Sequence, residues 1–489
     1  MQDNIILTPT RQDIVADEAS VGLEMTVHVV ARPARFVAEY DLEPLCDVRD
    51  GGAVPRRVFV QAAASLVTEA VELKPSPCGA RWGLAGRGWR AWQNVAVLEG
   101  LDAVDWGRLT HAYGAATDVP AQIRALRSSV ASERERALGE LYGNIFHQGT
   151  RYDATAYAVP FLLEVLASPD CADRTGLLDL LAGIAVGYDE SWLPEGLPIA
   201  DHRREADGGA TLWAATPRPG DEDFDEDEGI FAHLATLPEK DQNRLYAHIL
   251  LMSYDAVRAG LPMFRSLLKD SDPAVRVRAA YLLAWFPEED SLPALAAVRG
   301  DHETVAATVQ LAVGLLGGRP AESALDDPRA IVRCAVAIAF ATVDRSGSSQ
   351  TVVEELLAWT SSDHGGTDVP FLGGDLAGYA GLALRLTGER RADSAFDALL
   401  ARIPNVSGIE ALPVVGEALR MAFADGRLSA GGGYGSLDDR QRRLVDKLAR
   451  SPGTWQLNGM TFGNFALLVG SYGLPSKHMA LQSYINDSP

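Results

Sequence analysis

The side-chain patterns that mark common enzyme active sites are incomplete in this sequence. His302 and Glu303 begin the HExxH pattern of zinc proteases, but Ala306 occupies the position of the second histidine ligand. No Gly-Lys pair marks a phosphate-binding loop, and no GxSxG turn marks a nucleophilic serine. Residues 86–91 fit GxGxxA, but no apolar strand precedes them, as a dinucleotide site requires. We therefore expect no catalytic residues, no metal site and no cofactor, although folding could still bring two of the many carboxylates together.

A polar turn at residues 142–150 is the most chemically mixed stretch of the chain. Six polar residues lie in this turn or just after it: Asn144, His147, Gln148, Thr150, Tyr152 and Asp153. Turns between helices expose side chains, so one interpretation makes these residues a contact site for a ligand or partner. The other interpretation is structural: Asn144 and His147 bond to backbone carbonyl groups, and Gly149 supplies a left-handed conformation. Both interpretations are open at this point.

A basic, aromatic segment stands out near the N-terminus of this acidic chain. Residues 74–98 contain no acid and include three arginines and three tryptophans: Arg81, Arg87, Arg90, Trp82, Trp89 and Trp92. Tryptophan and arginine are frequent in protein interfaces, where they stack and form ion pairs. The segment is therefore predicted either to contact a partner or to fold as a cap over the first helical repeat.

An acidic run is a third candidate for partner contact. Seven of its eight residues are acids: Asp221, Glu222, Asp223, Phe224, Asp225, Glu226, Asp227 and Glu228. Runs of like charge usually stay solvated and mobile. The alternative is an arm that binds a basic partner, with Phe224 as its apolar anchor. Calcium binding is disfavoured, because the run lacks the glycine and the ligand spacing of an EF-hand loop.

The elements that must position these residues are helices arranged in repeats. An Asp-Pro pair followed by Val-Arg occupies residues 272–278 and recurs at 327–333, ending in Arg278 and Arg333. A degenerate copy begins at Asp301, so the starts are 29 and 26 residues apart. Aspartate caps a helix N-terminus, and proline suits the first helical position. Units this short cannot bury an apolar face alone, so they are predicted to stack as a helical solenoid.

This pattern resembles the HEAT-repeat family, whose second helix often opens with Asp-Pro-x-Val-Arg and soon reaches an alanine. The best match is residues 272–280. Residues 104–170 are similar to a block that opens the solenoid in a group of bacterial HEAT-repeat proteins. The resemblance implies an all-α fold, a HEAT-like right-handed α-solenoid of antiparallel helix pairs from Val104 to Tyr484. It also implies binding, because HEAT-like bacterial proteins have been associated with scaffolding and with toxin neutralisation.

Five segments are predicted along the chain. Residues 1–103 form a small α+β or irregular segment, with a strand at Val27 and Val29 and a run from Val58 that could continue as a helix to Leu73. The other four are a first HEAT-like helical block, an acidic mobile loop, central HEAT repeats, and C-terminal helical repeats with a cap, at residues 104–187, 188–229, 230–345 and 346–489.

Composition limits the class of protein and its partners. The chain has 489 residues, 47% of them hydrophobic, and a formal charge of −22. This acid excess disfavours an unspecific nucleic-acid binder and favours basic partners. The four cysteines are far apart and show no metal-binding spacing, as in proteins of reducing compartments. No secretion signal begins the chain and no apolar run approaches the ~20 residues of a membrane span, so a cytoplasmic location without membrane contact is expected.

These observations favour a noncatalytic binding protein, a scaffold or an inhibitor of the immunity type, that engages a basic protein partner. The alternative is a HEAT-like enzyme or enzyme accessory, similar to DNA glycosylases or to bilin lyases. The charge of −22 opposes the glycosylase, because such enzymes search DNA with a basic concave face. No feature of the sequence separates the binding protein from the lyase.

Overall fold

A computed structural model describes residues 98–225, 229–298, 300–362, 366–428 and 432–486, together with the backbone of four strands nearer the N-terminus. This part of the chain is mostly helical, which confirms the all-α expectation. It divides into two compact units, one formed by Met1–Ser191 and Pro198–Met263, the other by Trp192–Leu197 and Phe264–Pro489. No helix within the described residues has the length and apolar character needed to cross a membrane.

The N-terminal segment contains short antiparallel strands. Their bounds are β1 Asn4–Pro9, β2 Met25–Val30, β3 Ala38–Asp41 and β4 Arg57–Val60. Strand β1 pairs with β2, and β3 pairs with β4. The strand expected at Val27 and Val29 is confirmed by β2, and the run from Val58 begins as a strand. The rest of that run, to Leu73, lies outside the described residues.

The first unit combines two small β-hairpins with helices. Its elements in chain order are β5 Thr110–His111, β6 Gly114–Ala115, α1 Val119–Ala125, α2 Ala131–Asn144, β7 Phe146–His147, β8 Thr150–Arg151, α3 Asp153–Ala167, α4 Arg174–Val186, α5 Ile199–Glu205, α6 Gly209–Ala215, α7 Ile230–Thr236 and α8 Glu239–Arg258. Helix α3 is buried on nearly every side and lies against α4 and α8. Helix α4 ends at Gly187, whose φ of 79° suits glycine.

Residues 188–229 are not the continuous loop that was expected. They contain α5 and α6, and both helices pack against α8. Three apolar residues that precede the acidic run are buried: Leu193, Leu197 and Ile199. Burial of three large aliphatic side chains stabilises an ordered segment by about 1.5–3 kcal/mol each. The expectation of a loop over the whole of 188–229 is therefore wrong.

The second unit is a succession of helices. Their bounds are α9 Leu261–Leu267, α10 Pro273–Leu283, α11 Leu292–Ala296, α12 Glu303–Leu315, α13 Ala330–Asp344, α14 Gln350–Ser361, α15 Leu376–Leu384, α16 Ala392–Arg402, α17 Ala411–Ala422, α18 Asp439–Ala449, α19 Gly463–Ser471 and α20 His478–Asn486, with a hairpin of β9 Gln456–Leu457 and β10 Met460–Thr461 before α19. Helix α9 begins in the first unit and ends in the second. From α12 onward, the main helix contacts join elements one or two places apart in the chain. Helices α12 and α13 approach each other closely: a Cβ atom at Gly314 would lie 2.7 Å from the backbone of Ala339.

The repeat pattern is present, but its register differs from the prediction. Asp272 caps α10 as expected, since its side chain accepts a hydrogen bond from the backbone N–H of Ala274 at 2.8 Å. The capping positions of α12 and α13 are instead His302 and Arg329, one and two residues after the predicted starts. The helix starts are therefore 30 and 27 residues apart. The tightly packed alanine of the first copy, Ala280, is fully buried, as the repeat interpretation requires.

The arginines show which positions of the repeats are equivalent. Arg276 donates a hydrogen bond to the carbonyl oxygen of Asp270 at 2.9 Å, six residues earlier. Arg333 makes the corresponding bond to the carbonyl oxygen of Asp327 at 2.8 Å. Arg333 therefore corresponds to Arg276 and not to Arg278. Each of these two arginines therefore bonds to a backbone carbonyl group in the loop just before its own helix.

Asp327 and Arg329 provide a test of the loop before α13. The Arg329 side chain donates to both carboxylate oxygens of Asp327, at 2.9 and 2.8 Å, and lowers the pKa of Asp327 from 3.8 to about 2. A lowered pKa stabilises the folded state above about pH 4, and this contribution is lost as the pH falls through about 2. We expect Asp327→Asn to be less stable than the wild type at neutral pH and to lose less stability between pH 4 and pH 2. Urea unfolding at several pH values measures the stability of both proteins. The prediction is contradicted if the variant and the wild type lose the same amount of stability between pH 4 and pH 2.

Candidate functional site

The candidate site is built on the hairpin β7–β8, which connects α2 to α3. Its two-residue turn consists of Gln148 and Gly149, with φ angles of 48° and 86°. Positive φ at both central positions is what the tightest hairpin turns require, and glycine adopts it without strain. The left-handed conformation expected for Gly149 is confirmed. Within the hairpin, His147 lies directly opposite Thr150, so their side chains share one face.

Asn144 is buried just before the hairpin and forms hydrogen bonds with neighbouring elements. Its side-chain amide donates hydrogen bonds to Asp118 at 2.9 Å and to Gln122 at 3.2 Å. Its carbonyl oxygen accepts a bond from the backbone N–H of Ala112 in the neighbouring hairpin β5–β6. The structural role expected for Asn144 is present, but its side chain binds other side chains and not backbone carbonyl groups. These bonds join α1, α2 and the hairpin β5–β6.

His111 and Asp118 form the arrangement that comes nearest to acid–base chemistry. The Nε2 atom of His111 lies 2.8 Å from a carboxylate oxygen of Asp118. The other ring nitrogen, Nδ1, accepts a hydrogen bond from the backbone N–H of Tyr113 at 3.0 Å. Nδ1 is therefore unprotonated, and Nε2 carries the proton that it donates to Asp118. Both nitrogens are engaged within the chain, so this buried imidazole has no free position from which to take a proton from a substrate.

His147 bonds to the helix that precedes the hairpin. Its Nδ1 atom lies 3.0 Å from the carbonyl oxygen of Gly143, which requires a proton on Nδ1. Burial lowers the pKa of His147, and the bond to Gly143 opposes this shift. The ring of Tyr113 packs edge-on against it, with the centroids 5.4 Å apart. The predicted bond of His147 to a backbone carbonyl group is confirmed.

Asp153 joins three distant parts of the first unit. Its carboxylate accepts hydrogen bonds from the backbone N–H and the hydroxyl of Thr110, at 2.6 and 2.8 Å. It also forms an ion pair with Arg218, whose guanidinium stacks 4.2 Å above the ring of Trp213. Burial raises the pKa of Asp153, and the Arg218 charge and the Thr110 bonds lower it again in part. Asp153 therefore attaches the segment before the acidic run to the hairpin β5–β6.

The acidic run begins as an anchored segment. Asp221 forms a 2.7 Å ion pair with Arg108 and accepts a hydrogen bond from the backbone N–H of Arg218. The Arg108 side chain is the main reason why the pKa of Asp221 is lowered. Glu222, Asp223 and Asp225 are exposed and Phe224 is half-buried, whereas Glu226, Asp227 and Glu228 lie outside the described residues.

Arg151 fixes the other end of the hairpin. Its side chain donates hydrogen bonds to the carbonyl oxygens of Ile184 and Gly149, both at 2.9 Å. Its Nη2 atom is buried without a hydrogen-bond partner in the described part of the chain. Desolvation lowers the pKa of Arg151 to about 10. The arginine therefore holds β8 against the C-terminal end of α4.

Three partly exposed tyrosines surround this hairpin. Tyr113, Tyr188 and Tyr246 have 62%, 50% and 40% of their surface exposed. Tyr113 contacts His147, and the ring of Tyr188 lies so close to Gly149 that a Cβ atom there would come within 3.0 Å of it. Tyr113 and Tyr246 are also near the hydroxyl of Tyr152. Burial is the main cause of the raised pKa of Tyr152, and the two neighbouring phenols raise this pKa further. Tyrosine combines an apolar ring with a polar tip, which suits protein contacts.

The predicted site residues thus fall into separate groups. Asn144, Tyr152 and Asp153 are buried and bind other parts of the chain. His147 and Gln148 are half-buried and lie near the exposed tyrosines. Trp82, Trp89 and Trp92 lie outside the described residues.

The sequence interpretation missed the tyrosines and the partners of Asp153. A tyrosine beside Gly114 in a polar turn was a usable signal for Tyr113. Nothing local indicated Tyr188 or Tyr246, because they reach the hairpin from other elements, the turn after α4 and the helix α8. Thr110 and Arg218 are 43 and 65 residues from Asp153 in the chain and gave no pairing signal.

Within the described residues, no group of three or more His, Cys, Asp or Glu side chains is placed to hold a metal ion. No model of a known protein family matches the chain, and no curated protein matches its sequence. The function is therefore argued from the surface itself.

Proposed function

We propose that the chain is a noncatalytic binding protein whose first unit contacts a basic protein partner through the tyrosines around the hairpin β7–β8. The observation that supports this proposal is that Tyr113, Tyr188 and Tyr246 are all partly exposed around one hairpin. An isolated exposed aromatic side chain is ordinary, but three around one hairpin present a large apolar area with hydrogen-bonding tips. A rigid support beneath them limits the entropy lost on binding.

The fold part of the proposal is a HEAT-like right-handed α-solenoid of antiparallel helix pairs. Contacts between helices one or two places apart support this architecture, since each repeat of a solenoid touches mainly its neighbours. The repeated arginine bonds at Arg276 and Arg333 support a common structural unit. The resemblance to bacterial HEAT-repeat proteins favours a scaffold or an inhibitor of the immunity type.

Charge supports a basic partner for the first unit. Residues 98–263 contain 28 acidic and 13 basic residues, whereas residues 264–489 contain 26 and 21. The acid excess is thus concentrated in the part that bears the tyrosines and the acidic run. A basic protein is attracted to this surface, and nucleic acid is repelled by it. The exposed acids Glu222 and Asp223 extend the attraction beyond the tyrosines.

The test replaces the three tyrosines together. We expect Tyr113→Ala, Tyr188→Ala and Tyr246→Ala, combined in one full-length variant, to weaken binding to the natural partner at least about tenfold, because tyrosine is frequent among residues that dominate binding energy. Partners captured from a lysate with the wild type would be identified, and their affinities for both proteins measured by surface plasmon resonance.

A matched control removes another exposed apolar side chain of the same unit. Val130→Ala changes a residue that is 48% exposed, away from the hairpin turn, and should leave the affinity unchanged. Circular dichroism establishes that both variants are folded. The proposal fails if the triple variant binds the partner as tightly as the wild type, or if the partner is acidic.

A further inference from the structure

The second unit contains a surface groove between the C-terminal parts of α16 and α18. Its volume is about 460 Å³. One wall is formed by Leu400, Ala401 and Pro404, and the other by Arg443, Lys447 and Arg450. The three basic residues are spaced by four and three positions, so they lie on one face of α18. Seven helical residues span about 10 Å, the length of roughly three residues of an extended peptide.

The groove carries more positive than negative charge. Arg443 forms an ion pair with Asp397 at 2.5 Å, and Arg450 approaches Asp446 at 3.6 Å. Asp446 also accepts a hydrogen bond from the hydroxyl of Tyr434 at 2.8 Å. Lys447, between the two arginines, forms no ion pair with any described residue. Like charges one helical turn apart repel each other, and the dipole at the end of α18 offsets only part of this repulsion.

We propose that this groove binds an acidic peptide segment of a partner protein. A carboxylate of the segment would pair with Lys447 and Arg450, and a neighbouring apolar side chain would cover Leu400 and Pro404. The mixed lining favours this ligand over a simple inorganic anion, because Leu400, Ala401 and Pro404 offer apolar surface beside the charged residues. The site goes beyond the tyrosine surface of the first unit and takes a ligand of the opposite charge.

The overall charge of the chain does not prevent this binding. Residues 264–489 have an excess of only five acids, and exposed charges are screened beyond ~8 Å at physiological ionic strength. The charges that line the groove therefore act on a bound peptide more strongly than the distant acids of the chain do. Binding should weaken as the salt concentration rises, since the contacts are exposed ion pairs.

The experiment titrates the full-length protein with two short peptides in a calorimeter. One is an acetylated and amidated peptide of alternating glutamate and leucine. Its length of about five residues covers the roughly three-residue span of the groove and adds one residue at each end. The other has glutamine in place of glutamate. We expect saturable binding of the acidic peptide only, weakened about tenfold by Lys447→Glu. Lys269→Glu, a charge reversal at an exposed site of the same unit, should leave the affinity unchanged.

A second variant tests the shape of the groove without altering its charge. Ala401→Trp fills the space beside Leu400 at an exposed position and should also weaken binding. Ala401→Trp keeps every ion pair of the groove. It therefore still tests peptide binding if Lys447→Glu does not fold. Equal affinity of the wild type and both folded variants overturns the proposal. So does equal binding of the glutamine peptide, or displacement of the acidic peptide by inorganic phosphate at constant ionic strength.

Discussion

Arg402→Met should reduce the unfolding free energy of the second unit by about 3–5 kcal/mol. Arg402 and Asp375 form a 2.5 Å ion pair whose side chains are 4% and 5% exposed. The same carboxylate oxygen of Asp375 caps α15 by accepting a bond from the backbone N–H of Gly378. Removal of the guanidinium leaves a buried carboxylate without its counter-charge, and this is the costly change. Urea unfolding followed by circular dichroism measures the loss.

Two controls distinguish the effect of breaking a buried ion pair from the effect of breaking an exposed one. Arg124→Met breaks the pair with Asp102, whose side chains are 45% and 81% exposed, and should cost no more than about 1 kcal/mol. Adding Asp375→Asn to Arg402→Met should restore part of the lost stability, since no unpaired charge then remains buried. If Arg402→Met is as mild as Arg124→Met, water reaches the pair and its burial has no energetic consequence.

Asp153→Ala should destabilise the first unit by about 3 kcal/mol. The substitution removes the acceptor for two bonds from Thr110 and the counter-charge of Arg218. Because Asp153 attaches the segment that contains Trp213 and Arg218, its loss should also expose residues 213–225 to proteases. Unfolding in urea measures the stability, and limited proteolysis with mass spectrometry locates the cleavage.

The control for this prediction is Thr110→Val, which removes one hydroxyl donor and leaves the ion pair intact. It should cost about 1 kcal/mol and should leave the cleavage pattern unchanged. A variant Asp153→Ala with normal stability and normal resistance to proteases would show that the carboxylate does not hold this junction.

Helix boundaries were predictable wherever a local signal sets them. Asp438 precedes a charged amphipathic stretch, and its side chain accepts a bond from the backbone N–H of Gln441 at 2.8 Å to start α18. Gly187 ends α4 in the same local manner. A cap needs only residues within one turn, so the sequence contains all the information for it.

The register of the repeats was less predictable, because an Asp-Pro pair is not tied to one position. At Asp272 the pair starts the helix, whereas at Asp327 it lies two residues before the capping position. The bonds of Arg276 and Arg333 to carbonyl groups identify the equivalent residues. Sequence spacing alone favoured the more obvious match of Arg278 with Arg333.

The sequence by itself determined the helical class, the left-handed conformation of Gly149 and the acid excess, since these depend on local conformation or on composition. Only the tertiary structure decided which polar residues face solvent. Asp153 is buried because Thr110 and Arg218, 43 and 65 residues away, reach it to satisfy its charge. Tyr188 and Tyr246 stay partly exposed beside the hairpin because separate elements bring them there. Burial depends on contacts between segments distant in the chain, and local sequence patterns do not encode those contacts.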